Sequence, residues 1–147
     1  VGPEFRRVQL MCSLLGIEDN VSFVGSVPQM ELPIYYNAAD FLVVPSKYES
    51  FGLVALEAMA TGTPVIASRV GGLATIVNDT KNGFLISWQC PDAFARKIDM
   101  LLANDSLLTA MGREALISSK TYSWSSVGEK LATLYSTAVL AKAGSIL

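Results

Sequence analysis

The chain of 147 residues contains no histidine. It therefore has no imidazole to act as a general base, as the partner of a nucleophile or as a metal ligand. Charged residues make up only 16% of the sequence and the net charge is −2, so we expect no binding surface for nucleic acid. No apolar run approaches the roughly 20 residues that a membrane-spanning helix needs.

Cysteine is also scarce. The two cysteines, Cys12 and Cys90, have no paired spacing, and we interpret them as buried apolar side chains in a reducing, cytoplasmic compartment. A disulfide between them is the less favoured alternative. Hydrophobic residues make up 51% of the sequence, which predicts one domain with a substantial core.

Helical and extended patterns alternate along the chain, which is typical of an α/β fold of the Rossmann-like kind, with a parallel sheet between helices on both faces. Trp88 and Trp124 are interpreted as residues of the core or of a domain contact. The predicted strands are 21–24, 41–44, 65–67 and 84–86, and the predicted helices are 4–15, 31–39, 52–60, 74–77, 93–103, 106–119 and 124–141.

Three details of this pattern are specific. Apolar residues recur at helical spacing between Glu4 and Leu15, and Gly16 is placed to end that helix. The uninterrupted apolar run of residues 41–44 is typical of a strand buried on both faces. The start, Val1-Gly2-Pro3, is interpreted as the end of a strand and a turn, so we expect a domain over residues 1–147 that is truncated at its amino end.

The stretch from Glu49 to Glu57 is the candidate site. A strand of a parallel sheet delivers it to the sheet's carboxyl edge, where open α/β sheets bind ligands. The helix predicted from Gly52 would present unpaired backbone N–H groups and partial positive charge there, which suits a diphosphate. Gly52 has no side chain to keep a phosphate away from the backbone.

The two carboxylates would flank that diphosphate. Glu57 is expected about 7.5 Å along the helix axis from Gly52, at 1.5 Å per residue, and Glu49 precedes the helix. Each carboxylate can accept hydrogen bonds from neighbouring hydroxyls, as a sugar nucleotide would offer. The alternatives are that Glu49 is a solvated loop residue and that Glu57 is an ordinary exposed helical carboxylate.

The sequence resembles the donor-binding, carboxyl-terminal domain of the retaining GT-B glycosyltransferases of family 4, also called glycosyl transferases group 1. The resemblance covers nearly the whole chain, and its most specific part is a pair of glutamates eight positions apart with Phe-Gly between them. The matching segments are 23–25, 36–40, 45–46, 49–60, 62–65, 70–72 and 122–124.

The resemblance implies roles for single residues. Glu49 would lie against the donor sugar as the catalytic residue, and Glu57 would bind the ribose hydroxyls. Val27 would contact the nucleobase through its backbone, and Ser50 would either contact the sugar or cap the helix. Backbone N–H groups would hold the sugar hydroxyls and the diphosphate at Phe51, Gly52, Leu53 and Val54.

The resemblance further implies transfer of a hexosyl group from a nucleotide-diphosphate sugar with retention of configuration, without a metal or other cofactor. The family's Arg and Lys that clamp the diphosphate lie upstream of this chain's start. Arg6 and Arg7 are not equated with them, and Lys47 is interpreted as a surface loop residue. We expect the acceptor-binding amino-terminal domain to lie outside residues 1–147, so the isolated chain should be inactive and any peripheral membrane association should run through that domain.

Two alternatives to the transferase remain open at this point. One is a non-catalytic nucleotide-binding module of the same fold. The other is a sugar-nucleotide epimerase of related fold, which the absence of histidine disfavours only weakly. Nucleobase, sugar and acceptor are not specified by the sequence.

Overall fold

A computed structural model describes residues 2–87 and 90–144, without the side chains of residues 140–144. The chain divides into two compact units, Val1–Leu32 and Pro33–Leu147. Its helices are α1 (Phe5–Leu14), α2 (Leu32–Ala38), α3 (Leu53–Ala60), α4 (Leu73–Ile76), α5 (Pro91–Leu102), α6 (Asp105–Ser119) and α7 (Trp124–Gly144), and its strands are β1 (Leu42–Val44), β2 (Val65–Ser68) and β3 (Gly83–Ile86). Two 3-10 turns lie at Glu18–Asn20 and Lys120–Tyr122.

The first unit contains α1, which ends as predicted at a glycine. Gly16 has φ +65°, and its N–H donates to the carbonyl of Ser13 at 3.0 Å. The N–H of Ile17 donates to the carbonyl of Cys12, also at 3.0 Å. This pair of bonds is the Schellman arrangement, which satisfies carbonyl groups that the helix end would leave unpaired.

The prediction of a strand over residues 21–24 is wrong. Residues 21–28 have no regular secondary structure, because no described strand pairs with them and a strand forms only where its N–H and C=O groups find such a neighbour. Phe23 packs edge-on against Phe5 of α1, with ring centroids 5.2 Å apart. An apolar side chain of this segment therefore packs against α1 although the segment forms no strand.

The second unit contains a three-stranded parallel sheet in the order β1-β2-β3. Val43 lies opposite Ile66, and Ile66 lies opposite Phe84. Side chains of this row face α5 and α6 and form a core with Leu101 and Met111. The other face of the sheet contacts α3 and α4. The predicted α/β class, with a parallel sheet and helices on both faces, is confirmed.

β1 is less buried than the sequence predicts. Val44 is buried, but Leu42 and Val43 are only half-buried, because β1 is an edge strand of this sheet. The central strand β2 is buried at all four positions. The strand predicted from the continuous apolar run is therefore confirmed, and the prediction that both of its faces are buried is wrong.

Helix α7 begins at an exposed tryptophan. Trp124 is 91% exposed, so it is not a core residue, and its alternative role in a domain contact stays a prediction. Trp88 lies outside the described residues. Within the described part of the chain no helix is long and apolar enough to cross a membrane. Cys12 and Cys90 are both free thiols, with Cys12 buried and Cys90 half-buried.

Candidate functional site

The stretch from Glu49 to Glu57 follows β1 and forms a loop and the first turns of α3. Helix α3 begins at Leu53, with Gly52 as its N-cap residue, which confirms the predicted helix start. Gly52 has φ +91°, a conformation that residues with a side chain rarely adopt. A Cβ at this position would also lie 3.0 Å from Cδ2 of Leu73. The backbone conformation therefore favours glycine strongly here, and the close contact with the Leu73 side chain adds a smaller preference.

The carboxylate of Glu49 caps the amino end of α3. Its Oε1 accepts a hydrogen bond of 3.1 Å from the N–H of Gly52. A negative charge at this point is favoured by the helix dipole. The sequence predicted that the N–H groups here would all be unpaired, and for Gly52 that is wrong because Glu49 reaches back to it. The N–H groups of Leu53 and Val54 have no partner among the described residues.

The side chains around the helix start point largely to solvent. Ser50 is exposed, and Phe51, Leu53 and Val54 are 46%, 61% and 37% exposed. The side chain of Ser50 makes no capping bond to α3, so the capping role considered for it is wrong. The helix start is thus an open surface.

Phe51 is supported from one side by an aromatic contact. The ring of Tyr122 meets it edge-on, with centroids 6.3 Å apart. The hydroxyl of Tyr122 also donates to the carbonyl of Thr75, within α4, at 3.3 Å. The segment before α7 is thereby attached to the loop that precedes α3.

Glu57 lies one turn further along α3 and is half-buried. Its Oε2 accepts a hydrogen bond of 3.1 Å from the hydroxyl of Tyr36 in α2. Burial of Tyr36, the hydrogen bond to Glu57 and the negative charge of that carboxylate together raise the pKa of the phenol to about 12. Glu57 is therefore a tethered carboxylate and not an ordinary exposed one.

The loop after β2 packs directly on the loop after β1. The N–H of Gly72 donates to the carbonyl of Glu49 at 3.3 Å. A Cβ on Gly71 would overlap the carbonyl oxygen of Glu49, and a Cβ on Gly72 would overlap that of Phe51. The two strand ends therefore meet at one edge of the sheet, as a parallel sheet requires.

Between these loops lies an open cavity of about 580 Å³. It is lined by Lys47, Tyr48, Glu49, Ser50, Val70 and Gly71. The Nζ atom of Lys47 lies 5.7 Å from the centroid of the Tyr48 ring. The cavity thus combines a carboxylate, a cation, hydroxyl groups and backbone beside the start of α3.

A second cavity, of about 420 Å³, lies beyond the strand ends next to α5. It is mainly apolar, with Val43, Phe94 and Ile98 among its lining residues. Ser68 is also among the lining residues, and its hydroxyl is fully buried with no hydrogen-bond partner among the described residues. Burying a hydroxyl without a partner costs stability.

Val27 belongs to the first unit. It is half-buried in the segment without regular secondary structure that follows Gly25. Its predicted contact with a nucleobase stays a prediction. Among the described residues there is no group of three or more Asp, Glu or Cys side chains that could hold a metal ion.

Comparison with known proteins decides the family. A sequence model described as glycosyl transferases group 1 matches residues 1–116. The chain belongs to the glycosyl transferases group 1 family. The resemblance stated from the paired glutamates is thereby confirmed.

Relatives of this family member are considerably longer than the chain itself. It is 43% identical over 129 residues to D-inositol 3-phosphate glycosyltransferase of Corynebacterium glutamicum, an alignment that covers 88% of the chain and 31% of the relative. The chain therefore spans about a third of the length of the curated relatives that it matches.

Solved structures agree with the fold. Sucrose-phosphate synthase of Thermosynechococcus elongatus superposes with a TM-score of 0.84 and 38% identity, over 95% of this chain and 35% of that one. HepE of Anabaena in complex with UDP gives a TM-score of 0.83 and 26% identity, over 90% of this chain and 36% of that one. These similarities match the sheet and its helices to the carboxyl-terminal Rossmann-like domain of GT-B glycosyltransferases.

Three residues at the site gained no role from the sequence. Gly71 and Gly72 are needed for close backbone approach, and two consecutive glycines in the loop that follows a buried strand are the signal that could have indicated it. Tyr36 contacts Glu57 across 21 positions, and no local pattern signals such a contact.

Proposed function

We propose that this chain is the donor-binding part of a glycosyltransferase that moves a hexosyl group from a nucleotide-diphosphate sugar to an acceptor. The observation that carries the proposal is the start of α3. Glu49 lies just before this helix and Glu57 lies within it, and each carboxylate is half-buried and accepts a hydrogen bond from the protein. The N–H groups of Leu53 and Val54 have no partner among the described residues. An anion at the helix start with hydroxyl-bearing sugars on either side would use all of these groups.

Roles follow from where each group lies. The N–H groups of Leu53 and Val54 would bind the diphosphate, and that of Gly52 would join them if Glu49 turned from it toward the sugar. Glu49 borders the open cavity, which has room for a hexose, and would accept hydrogen bonds from its hydroxyls as the expected catalytic residue. Glu57 would bind the ribose hydroxyls.

Further contacts are part of the same proposal. Val27 would contact the base through its backbone, Ser50 would offer a hydroxyl near the sugar, and Phe51 would supply backbone beside it. HepE of Anabaena, which shares the fold at 26% identity, was solved with UDP, and this favours a uridine nucleotide as the first ligand to test.

Chemistry at this site would depend on stabilising the charge that develops on the departing nucleoside diphosphate. The amino end of α3 would supply part of that stabilisation. We propose that no metal takes part and that the anomeric configuration is retained. The acceptor site would come from the rest of a longer protein, so we expect the isolated chain to bind donor without transferring sugar.

Binding to a nucleotide is the direct test of this proposal. UDP, GDP and ADP are titrated into the chain by calorimetry, and uridine and inorganic phosphate serve as control ligands. The proposal predicts that at least one diphosphate binds much more tightly than uridine or phosphate alone, because the site engages both parts of the ligand. Failure of all three diphosphates to bind at millimolar concentration would contradict it.

A non-catalytic nucleotide-binding module would pass the same binding test. A transferase and a binding module are distinguished in the full-length protein by following release of UDP from UDP-glucose with and without candidate acceptors. A transferase releases UDP in step with formation of a glycosylated product. Tight UDP binding without any turnover of the donors tested would favour the module instead.

A further inference from the structure

Tyr36 is anchored to α3 and the turn after it at two points. Its hydroxyl donates to Oε2 of Glu57 at 3.1 Å. Its backbone carbonyl accepts a hydrogen bond of 2.8 Å from Oγ1 of Thr63, which is itself buried. Oγ1 of Thr63 lies 3.0 Å from Oγ1 of Thr61, which donates to the carbonyl of Ala58 at 2.7 Å.

This arrangement fixes the phenol and not merely the backbone. Tyr36 is only 6% exposed, so its ring has little freedom to turn away from Glu57. A carboxylate held by a rigid donor loses less conformational freedom when it binds a ligand than one that is free to rotate. The phenol engages Oε2, and Oε1 takes no hydrogen bond from a described residue.

We propose that Tyr36 is a positioning residue that orients the carboxylate of Glu57 toward the vicinal hydroxyls of a nucleotide ribose. The proposal rests on the proposed function, since it requires that Glu57 meets the ribose. A neutral phenol is suited to the task because it donates to the carboxylate and leaves the negative charge in place for the ligand. A merely structural role, tying α2 to α3, is the competing explanation.

The experiment compares two ligands on two proteins. UDP and 2′,3′-dideoxyuridine 5′-diphosphate are titrated by calorimetry into the wild type and into Tyr36→Phe, which removes only the hydroxyl. We expect Tyr36→Phe to weaken UDP binding about tenfold, as for a hydrogen bond to a charged group. Binding of the dideoxy nucleotide should change less than twofold, because it has no 2′- and 3′-hydroxyls to donate hydrogen bonds to Glu57.

Two controls separate positioning from loss of structure. Tyr35→Phe removes the hydroxyl of the neighbouring residue and should leave both affinities unchanged, because Tyr35 is 44% exposed and its hydroxyl bonds no described residue. Thr63→Val loosens the backbone anchor of Tyr36 and should weaken UDP more than the dideoxy nucleotide. It also provides the comparison if Tyr36→Phe does not fold.

The outcomes are distinct. Equal weakening of both ligands by Tyr36→Phe, or no weakening of either, would overturn the positioning role while leaving the proposed function intact. A wild type that binds UDP and the dideoxy nucleotide equally would overturn the ribose role of Glu57 and the positioning role with it. A wild type that binds neither nucleotide would contradict the proposed function itself.

Discussion

The N–H of Gly72 donates a hydrogen bond of 3.3 Å to the carbonyl oxygen of Glu49, joining the loop after β2 to the loop after β1. The approach is so close that neither Gly71 nor Gly72 could carry a Cβ without overlapping the backbone of the 49–51 segment. The position of Glu49 therefore depends on glycines more than twenty residues away. Backbone packing, and not the glutamate loop alone, defines this part of the candidate site.

Gly72→Ala should damage the site through sterics alone. Gly72 has φ −62°, which alanine adopts readily, but its Cβ would overlap the carbonyl oxygen of Phe51. Backbone must move to relieve this, so we expect a loss of about 1–3 kcal/mol in the free energy of unfolding. Urea denaturation measures the loss, and UDP titration should show weakened binding in the fraction that still folds.

Gly128→Ala is the matched control. Gly128 lies within α7, and a Cβ there would meet no atom within 4 Å. Alanine in a helix interior is favoured over glycine by about 0.5–1 kcal/mol, so this variant should gain stability and keep its affinity for UDP. A Gly72→Ala variant as stable as the wild type would refute the steric account.

Ser68→Ala should stabilise the protein. The change removes a fully buried hydroxyl that has no partner among the described residues, and such groups typically cost about 1–3 kcal/mol. Thermal or urea unfolding should show the gain. Ser119→Ala provides the contrast, because the hydroxyl of Ser119 donates to the carbonyl of Leu116 at 2.8 Å and its removal should bring no comparable gain. A destabilised Ser68→Ala variant would mean that the hydroxyl has a partner after all.

The phenol of Tyr36 should lose its proton only at high pH. Its pKa is raised from 10.0 to about 12, first by burial and then by the bond to Glu57 and the charge of that carboxylate. Because the folded-state pKa is raised, the stabilisation from the neutral phenol is complete below pH 10 and is lost as the pH rises through about 12. Absorbance at the tyrosinate band should show a late phase near pH 12.

Tyr36→Phe identifies that phase. The absorbance change near pH 12 should vanish in the variant, because Tyr36 is its source. Circular dichroism recorded in parallel shows whether the chain is still folded at each pH. A wild type that shows no absorbance phase near pH 12 while it is still folded would contradict the described environment of Tyr36.

Local chemistry made some elements predictable. Gly16 ends α1 as the sequence predicts, with positive φ and a closing pair of hydrogen bonds, and Gly62 ends α3 in the same way. The start of α3 near Gly52 and strand β2 could also be predicted, because a glycine at a turn and a short apolar run are both visible in the local sequence.

Other features depend on partners that the sequence does not display. Residues 21–24 have the composition of a strand, but a strand exists only if another supplies its hydrogen bonds. The half-burial of Val43 reflects its place on an edge strand. The bond between Tyr36 and Glu57, and the reach of Glu49 to Gly52, arise from tertiary geometry and side-chain rotamers.

The central claim is that Glu49 binds the hexose and Glu57 binds the ribose of one bound donor. Calorimetric titration of UDP and UDP-glucose into Glu49→Ala and Glu57→Ala, each compared with the wild type, tests it most directly. The account predicts that Glu57→Ala weakens both ligands about equally, and that Glu49→Ala weakens UDP-glucose markedly more than UDP. Equal effects of the two substitutions on both ligands would contradict it.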